Sequence, residues 1–232
     1  MLISREIGNR SSEGNQLGNL GLAYRALGQV EKAIAYHEQA LLISREIGNR
    51  NSEGNQLGNL GLAYSALGQV EKAIAYHEQA LLISREIGNR NSEGNQLGNL
   101  GLAYSNLGQV EKAIDYYEQA LAIKREIGNK QGIGNTLGNL GLAYSDLGQV
   151  EKAIDYHEQA LLISREIGNK QLEGNTLGNL GNAYSDLGQV EKARELWQQS
   201  LQIFEEIKSP TAETVRQWLK DLDTNNPSKQ TN

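Results

Sequence analysis

Three histidines stand in this sequence, His37, His77 and His157, and each is followed by a glutamate. A helix carrying two histidines four residues apart, with a glutamate between them, is the arrangement by which a hydrolase holds zinc and activates water. Here the residue four positions on is a leucine, as in His37-Glu38-Gln39-Ala40-Leu41, so the second ligand is missing. The corresponding positions elsewhere in the chain are Tyr117 and Trp197. A position that accepts three kinds of ring reads as a packing slot. The run Gly14-Asn15-Gln16-Leu17-Gly18-Asn19-Leu20-Gly21 suggests a phosphate loop, but its spacing fits neither the dinucleotide nor the P-loop signature, and no strand pattern precedes it. No serine has a plausible histidine base and acid partner. Cysteine is absent, which removes disulfides and thiolate metal sites. The sequence is therefore read as non-enzymatic, with no cofactor and no metal.

Composition narrows the partners. The formal net charge is −6 over 232 residues, and Lys and Arg recur singly beside acids, as in Arg45-Glu46 and Glu31-Lys32. A nucleic-acid surface needs clustered cations, so that class is set aside. No apolar run approaches the roughly 20 residues needed to cross a bilayer. Met1-Leu2-Ile3-Ser4-Arg5-Glu6 lacks the apolar core of a signal peptide. The expectation is a soluble cytoplasmic protein without membrane or nucleic-acid partners.

What positions these residues is a period. Gly-Asn-Leu-Gly begins at Gly18, Gly58, Gly98, Gly138 and Gly178, a spacing of 40 residues each time. Units 11–50 and 51–90 differ only at Ser11/Asn51 and Arg25/Ser65, while later units drift through Gln131-Gly132-Ile133, Asp146, Asn182 and the stretch after Lys192. Five units fill 11–208, and residues 1–10 match 41–50, so they read as a partial repeat, the end of a second helix. Each unit predicts two helices. In the first, about Ser12 to Leu27, the residues Leu17, Leu20, Gly21, Tyr24 and Leu27 lie on one face. The second, about Val30 to Ile47, buries a broad stripe that includes Ala33, Ile34, His37, Ala40 and Leu41. Gly28-Gln29 turns between them and Gly48-Asn49 ends the second.

The first helix carries Gly14, Gly18 and Gly21, each costing roughly 1 kcal/mol against alanine. It is stable only in a stack, with Gly21 expected to let two helix backbones approach closely. Ser209-Pro210 predicts the start of a capping helix over 209–222 with the stripe Val215, Trp218, Leu219 and Leu222, set against Trp197, Leu201 and Phe204. Residues 223–232 are polar and are expected to be disordered.

At 100° per residue, the face of the first helix opposite its core carries Asn15, Asn19, Leu22 and Ala26. It recurs as Asn55, Asn59, Leu62 and Ala66, then as Asn95, Asn99, Leu102 and Asn106. It continues as Asn135, Asn139, Leu142 and Asp146, and ends as Asn175, Asn179, Asn182 and Asp186. Asparagine both donates and accepts, so a ladder of them suits the backbone of an extended peptide, with the leucine row favouring apolar side chains. Against this stands inheritance: near-identical units copy one ancestral choice, so five asparagines are not five independent signs.

Leu17, Leu20-Gly21, Tyr24, Gly28, Ala33 and Ala40 together resemble the tetratricopeptide repeat. The period of 40 rather than 34 and the lack of a closing proline are similar to the longer repeats of Partner-of-Inscuteable-type scaffolds and kinesin light chains. The resemblance implies an all-α fold, a right-handed superhelical α-solenoid of antiparallel helix pairs, with the first helices lining a concave groove that binds a protein or peptide partner. The chaperone-tail clamp of some family members uses lysines and arginines on this face, and here only Arg25 is basic nearby. Two alternatives stand beside the peptide scaffold: a self-association module that forms homo-oligomers by stacking through an uncapped N-terminal end, and the sensor arm of a larger signalling protein.

Overall fold

The computed structural model describes residues 2–225. Every element among them is a helix. In chain order these are α1 (Leu2–Ala26), α2 (Val30–Glu46), α3 (Arg50–Ala66), α4 (Val70–Glu86), α5 (Arg90–Asn106), α6 (Val110–Glu126), α7 (Lys130–Asp146), α8 (Val150–Glu166), α9 (Lys170–Asp186), α10 (Val190–Glu206) and α11 (Thr211–Asn225). The chain forms two compact units, Met1–Ile123 and Lys124–Asn232. In the first, α1 to α5 pack in sequence, each on the next, and first helices also touch, α1 on α3 and α3 on α5. In the second, α7 to α11 do the same, with α7 also touching α9. This is the fold of a helix-pair solenoid closed by a C-terminal helix.

The boundaries follow from two devices. Gly28, Gly48 and their equivalents sit at φ near +70°, the left-handed conformation that ends a helix most cheaply on glycine. Lys208 takes the same conformation at φ 54° where the other units have glycine. Asn49 does not merely end α2: its side-chain oxygen accepts the Ser52 amide at 3.0 Å and caps α3, as Asn89, Asn129 and Asn169 cap α5, α7 and α9. First helices thus begin two residues earlier than the glycine pattern suggests.

Both chain ends differ from expectation. Residues 2–10 repeat 42–50 letter for letter, yet α1 runs unbroken from Leu2 to Ala26 where the later copy turns at Gly48. The later copy must reverse to lay α2 between α1 and α3, and no helix precedes α1 among the described residues to impose the same turn. At the other end α11 continues past Leu222 to Asn225, held by an Arg194–Asp223 ion pair at 2.6 Å; residues 226–232 of the expected tail lie outside the described residues. Ser209 accepts the Thr211 amide at 3.3 Å, so it caps α11 from just before Pro210.

The buried leucines lie where the helical period places them. Leu57 and Leu60 of α3 pack with Leu41 of α2 and with Ala80 and Ile83 of α4, and Leu177 and Leu180 repeat this in the second unit with Ile154, Leu196 and Ile203. Trp197, Phe204, Ala212 and Val215 close the second unit, with Trp218 packed against them. In α1 and just after it the same face is open, Leu20 being 43% and Leu27 70% exposed, since among the described residues α1 packs only on α2 and α3.

Gly21 is not a point of backbone contact. A Cβ there would stand 2.6 Å from the His37 ring, and Gly61 meets His77, Gly101 meets Tyr117, Gly141 meets His157 and Gly181 meets Trp197 in the same way. The glycine makes a flat bed for a ring from the following helix, which accounts for the interchange of histidine, tyrosine and tryptophan. His37 and His77 also pair with Gln56 and Gln96, each at 2.9 Å. The drift at 131–133 has a packing cause as well. Ser44 and Ser52 bond at 2.8 Å between the first and second repeats, whereas the buried Lys124 fills that slot later and Gly132 leaves it room.

Charges knit successive units. Glu53 is buried between Arg45 at 2.8 Å and Arg50 at 2.5 Å. Burial raises its pKa, and the two arginine hydrogen bonds overcome that, leaving it below the ordinary carboxylate value. Arg50 also reaches Glu86 on the next second helix. Arg45 is half exposed and spends its guanidinium on this bridge.

Gly61→Ala should lower stability by about 1–3 kcal/mol through overpacking, despite alanine's helix preference. Much of the loss should vanish in a His77→Ala background; a stabilised Gly61→Ala protein in thermal melting would refute the ring contact. Burial also pushes the pKa of His37 and His77 below the ordinary value, and that of His157 to about 4. The unfolded chain takes up these protons from about pH 6.5 downward while the folded chain resists, so stability is full above pH 6.5 and falls toward pH 4. His157 alone accounts for on the order of 3 kcal/mol of that loss. His157→Tyr should flatten the decline between about pH 6.5 and 4.5 in denaturant titrations; an unchanged slope would exclude this histidine as its source.

Candidate functional site

The side chains expected on the outer face of the first helices are there, and the two units present them differently. In the first unit Asn15, Asn19 and Leu22 of α1 are exposed. Asn55 is exposed while Asn59 and Leu62 are half-buried on α3, and Asn95, Leu102 and Asn106 are exposed beside the half-buried Asn99 on α5. Each asparagine pair is four residues apart, so both members share one helix face. Beneath this face Gln56 reaches over Gly18 and Gln96 over Gly58, the amides 3.0 and 2.8 Å from where a Cβ would be.

The second unit holds a cavity of about 560 Å³ on the same face. Asn135, Asn139 and Leu142 of α7 line it together with Asn175 and Asn179 of α9. Five predicted residues are thus brought to one space. Gly138 and Thr176 also line it, with the apolar side chains Leu172, Phe204 and Trp218 and the threonines Thr211 and Thr214. No lining residue is charged, so a bound group meets amides, hydroxyls and apolar surface only. Gln131 and Gln171 donate to the Asn135 and Asn175 side-chain oxygens at 3.0 and 3.2 Å.

Three predicted residues do not join the cavity. Asn182 accepts a hydrogen bond from the Trp197 indole at 3.1 Å and so serves the packing of the last pair. Asp146 and Asp186 are exposed, away from the lining. Sequence reasoning missed the opposite wall. Trp218 was placed as a cap over Trp197 and Phe204, which it is, and it also lies 3.3 Å from the Cβ position of Gly178 and lines the cavity. The signal was the small residue Gly178 opposite a tryptophan, but their pairing needs the register of α11.

The second helices α2, α4, α6 and α8 add a further repeated contact. Tyr24 and Tyr36 stack at 5.2 Å with 3° between planes, and Lys32 stands 5.2 Å from the Tyr24 ring. The same trio recurs through Tyr144, Tyr156 and Lys152. Among the described residues no group of three or more His, Cys, Asp or Glu is arranged to hold a metal ion, and no helix is long and apolar enough to cross a membrane.

Stacked helix pairs with small residues at fixed positions and a polar face on the first helices define a helical-repeat protein. The tetratricopeptide-repeat profile matches residues 15–86, 54–126 and 132–206, and the chain belongs to that family. Comparison with curated protein sequences gives no match. Among solved structures, the chain is similar to a Podosopora anserina kinesin light chain with nearly identical TPR-like repeats, at 26% identity over 85% of this chain and 97% of that one, TM-score 0.70. It is also similar to BtubC (BKLC) from P. vanneervenii, at 22% identity over 90% and 93% of the two chains, TM-score 0.75. A third is a STAND protein with a tetratricopeptide repeat sensor from Pyrococcus horikoshii, at 24% identity over 93% of this chain and 34% of that one, TM-score 0.81. The last two likenesses are of fold.

Proposed function

We propose that this chain is a non-enzymatic, cytoplasmic interaction scaffold that holds an extended peptide segment of a partner protein on the asparagine faces of its first helices. The observation that carries the reading is the cavity of the second unit, where asparagine pairs from two neighbouring helices meet an apolar wall without a single charge. Its volume, about 560 Å³, lies within the range of about 300–1,000 Å³ usual for ligand sites. Carboxamides bond peptide N–H and C=O alike, which gives affinity without demanding a sequence. Four net hydrogen bonds at about 1 kcal/mol supply about half of the roughly 8 kcal/mol needed for micromolar binding. Leu142, Leu172, Phe204 and Trp218 supply the rest by burying apolar side chains of the ligand.

A peptide array probed with the wild-type chain should yield ligands that bind Asn139→Ala/Asn179→Ala about 30-fold more weakly, with melting unchanged. Asn59→Ala/Asn99→Ala tests the first unit in the same way. Ligands that bind both variants as tightly as wild type would remove the asparagine faces from the site.

A second reading rests on α1, whose open face exposes Leu20, Ala23 and Leu27 where Leu60 and Ala63 in the next unit are fully buried. A homo-oligomer formed through that face would show a mass that rises with concentration in light scattering and returns to the monomer on Leu20→Glu/Leu27→Glu; a constant monomer mass would end this reading.

A further inference from the structure

The first unit contains its own template for what the second unit's cavity should hold. Gln56 spans from α3 to the buried His37 ring on α2, and its amide lies over Gly18 of α1; Gln96, His77 and Gly58 repeat the set one unit on. Each histidine Nδ1 thereby has a partner and each glycine surface is covered. In the second unit the corresponding residues are Thr176, His157 and Gly138. Thr176 is too short to span the gap, and its hydroxyl donates to the carbonyl of Leu172 at 2.8 Å within its own helix.

Two groups are left over. His157 lies on Gly141 as His77 lies on Gly61, with ring atoms 2.4–2.6 Å from the Cβ position against 2.6–2.7 Å, so its Nδ1 occupies the same place. That Nδ1 has no hydrogen-bond partner although the residue is 1% exposed. Gly138 meets nothing within 4 Å of its Cβ position, and both Gly138 and Thr176 line the cavity. The place that a glutamine amide fills in the first unit holds none here: Gly138 is uncovered at the cavity, and the buried His157 Nδ1 is without a partner.

We propose that this space takes the side-chain carboxamide of a glutamine in a partner peptide, seated over Gly138 and hydrogen-bonded to His157 in the place held by Gln56 and Gln96 in the first unit. The proposal rests on the peptide-binding reading and adds its specificity. A carboxamide both donates and accepts, and so pairs with a neutral imidazole in either tautomer. A leucine in its place would leave Nδ1 unpaired, and a glutamate would bring a charge into a lining that holds no cation. Either replacement should weaken binding about tenfold or more.

The test uses the full chain and a library of acetylated, amidated hexapeptides of uncharged residues with one position fixed as Gln, Leu or Glu. Wild type should enrich the glutamine set. Thr176→Gln restores the internal span, and should lose the preference for glutamine and melt at a higher temperature. His157→Phe keeps an aromatic ring in a slot that elsewhere holds tyrosine and tryptophan, removes both nitrogens, and should lose the same preference. Free N-acetylglutamine amide should displace bound peptide only at far higher concentration than the peptide itself; equal potency would overturn a peptide source. If Asn139→Ala/Asn179→Ala abolishes capture but wild type shows no preference for glutamine, or Thr176→Gln retains it, the proposal falls while peptide binding stands. No captured peptide would overturn both.

Discussion

The contact on which the other arrangements depend is a ring laid flat on a helix backbone. Gly21, Gly61, Gly101, Gly141 and Gly181 each give up a side chain so that His37, His77, Tyr117, His157 or Trp197 can rest against the first helix. Each glycine weakens its helix by roughly 1 kcal/mol, yet the ring gains burial in return. Because the ring lies flat, its polar edge is carried sideways to the next first helix. There Gln56 and Gln96 meet it, tying three consecutive helices through one amide. A bulkier residue at the glycine would lift the ring and break that reach. The helix spacing, the neutral histidines and the depth of the outer face are thus consequences of one small residue per unit.

The period of 40 residues made the helix pairs, their turns and the outer asparagine stripe legible in the sequence, because helical periodicity and a repeated glycine are local signals. What was not legible is non-local. Gly61 and His77 are 16 residues apart on different helices, and the constancy of the glycine beside the changing ring was the only trace of their contact. Asn49 was read as a stop because it follows Gly48, while its side chain faces forward and starts α3. The identical stretches 2–10 and 42–50 make the point most sharply: one opens α1 and continues straight on and the other contains a reversal, so the turn is not dictated by its letters alone.

The candidate site shows the same division. Asn135, Asn139, Leu142, Asn175 and Asn179 could be placed together by helix geometry alone, since each lies at a repeat of the same angle. The wall formed by Phe204 and Trp218 could not, because it depends on where the cap rests on α10. Asn182 had the right angle and the wrong neighbour: replacing the leucine of the other units, it meets Trp197, the one ring of the series with an indole N–H facing that way, and is drawn into the core contact. A stripe defined by angle names candidates; the residue opposite decides which of them remain available to a ligand.

Near-identical repeats also make small departures informative. Where units agree, a contact present in one is a template for the others, and a change at one member leaves its partners behind as they were. Thr176 stands where the first unit has glutamine, while His157 still lies on Gly141 as His77 lies on Gly61 and Gly138 is left uncovered. The result is a face that is filled from within in one unit and open in the other, built from the same residues. On the proposal made above, a difference of one side chain between repeats turns a place filled by the chain's own amide into one for a ligand's, with the neighbouring imidazole and glycine already in position.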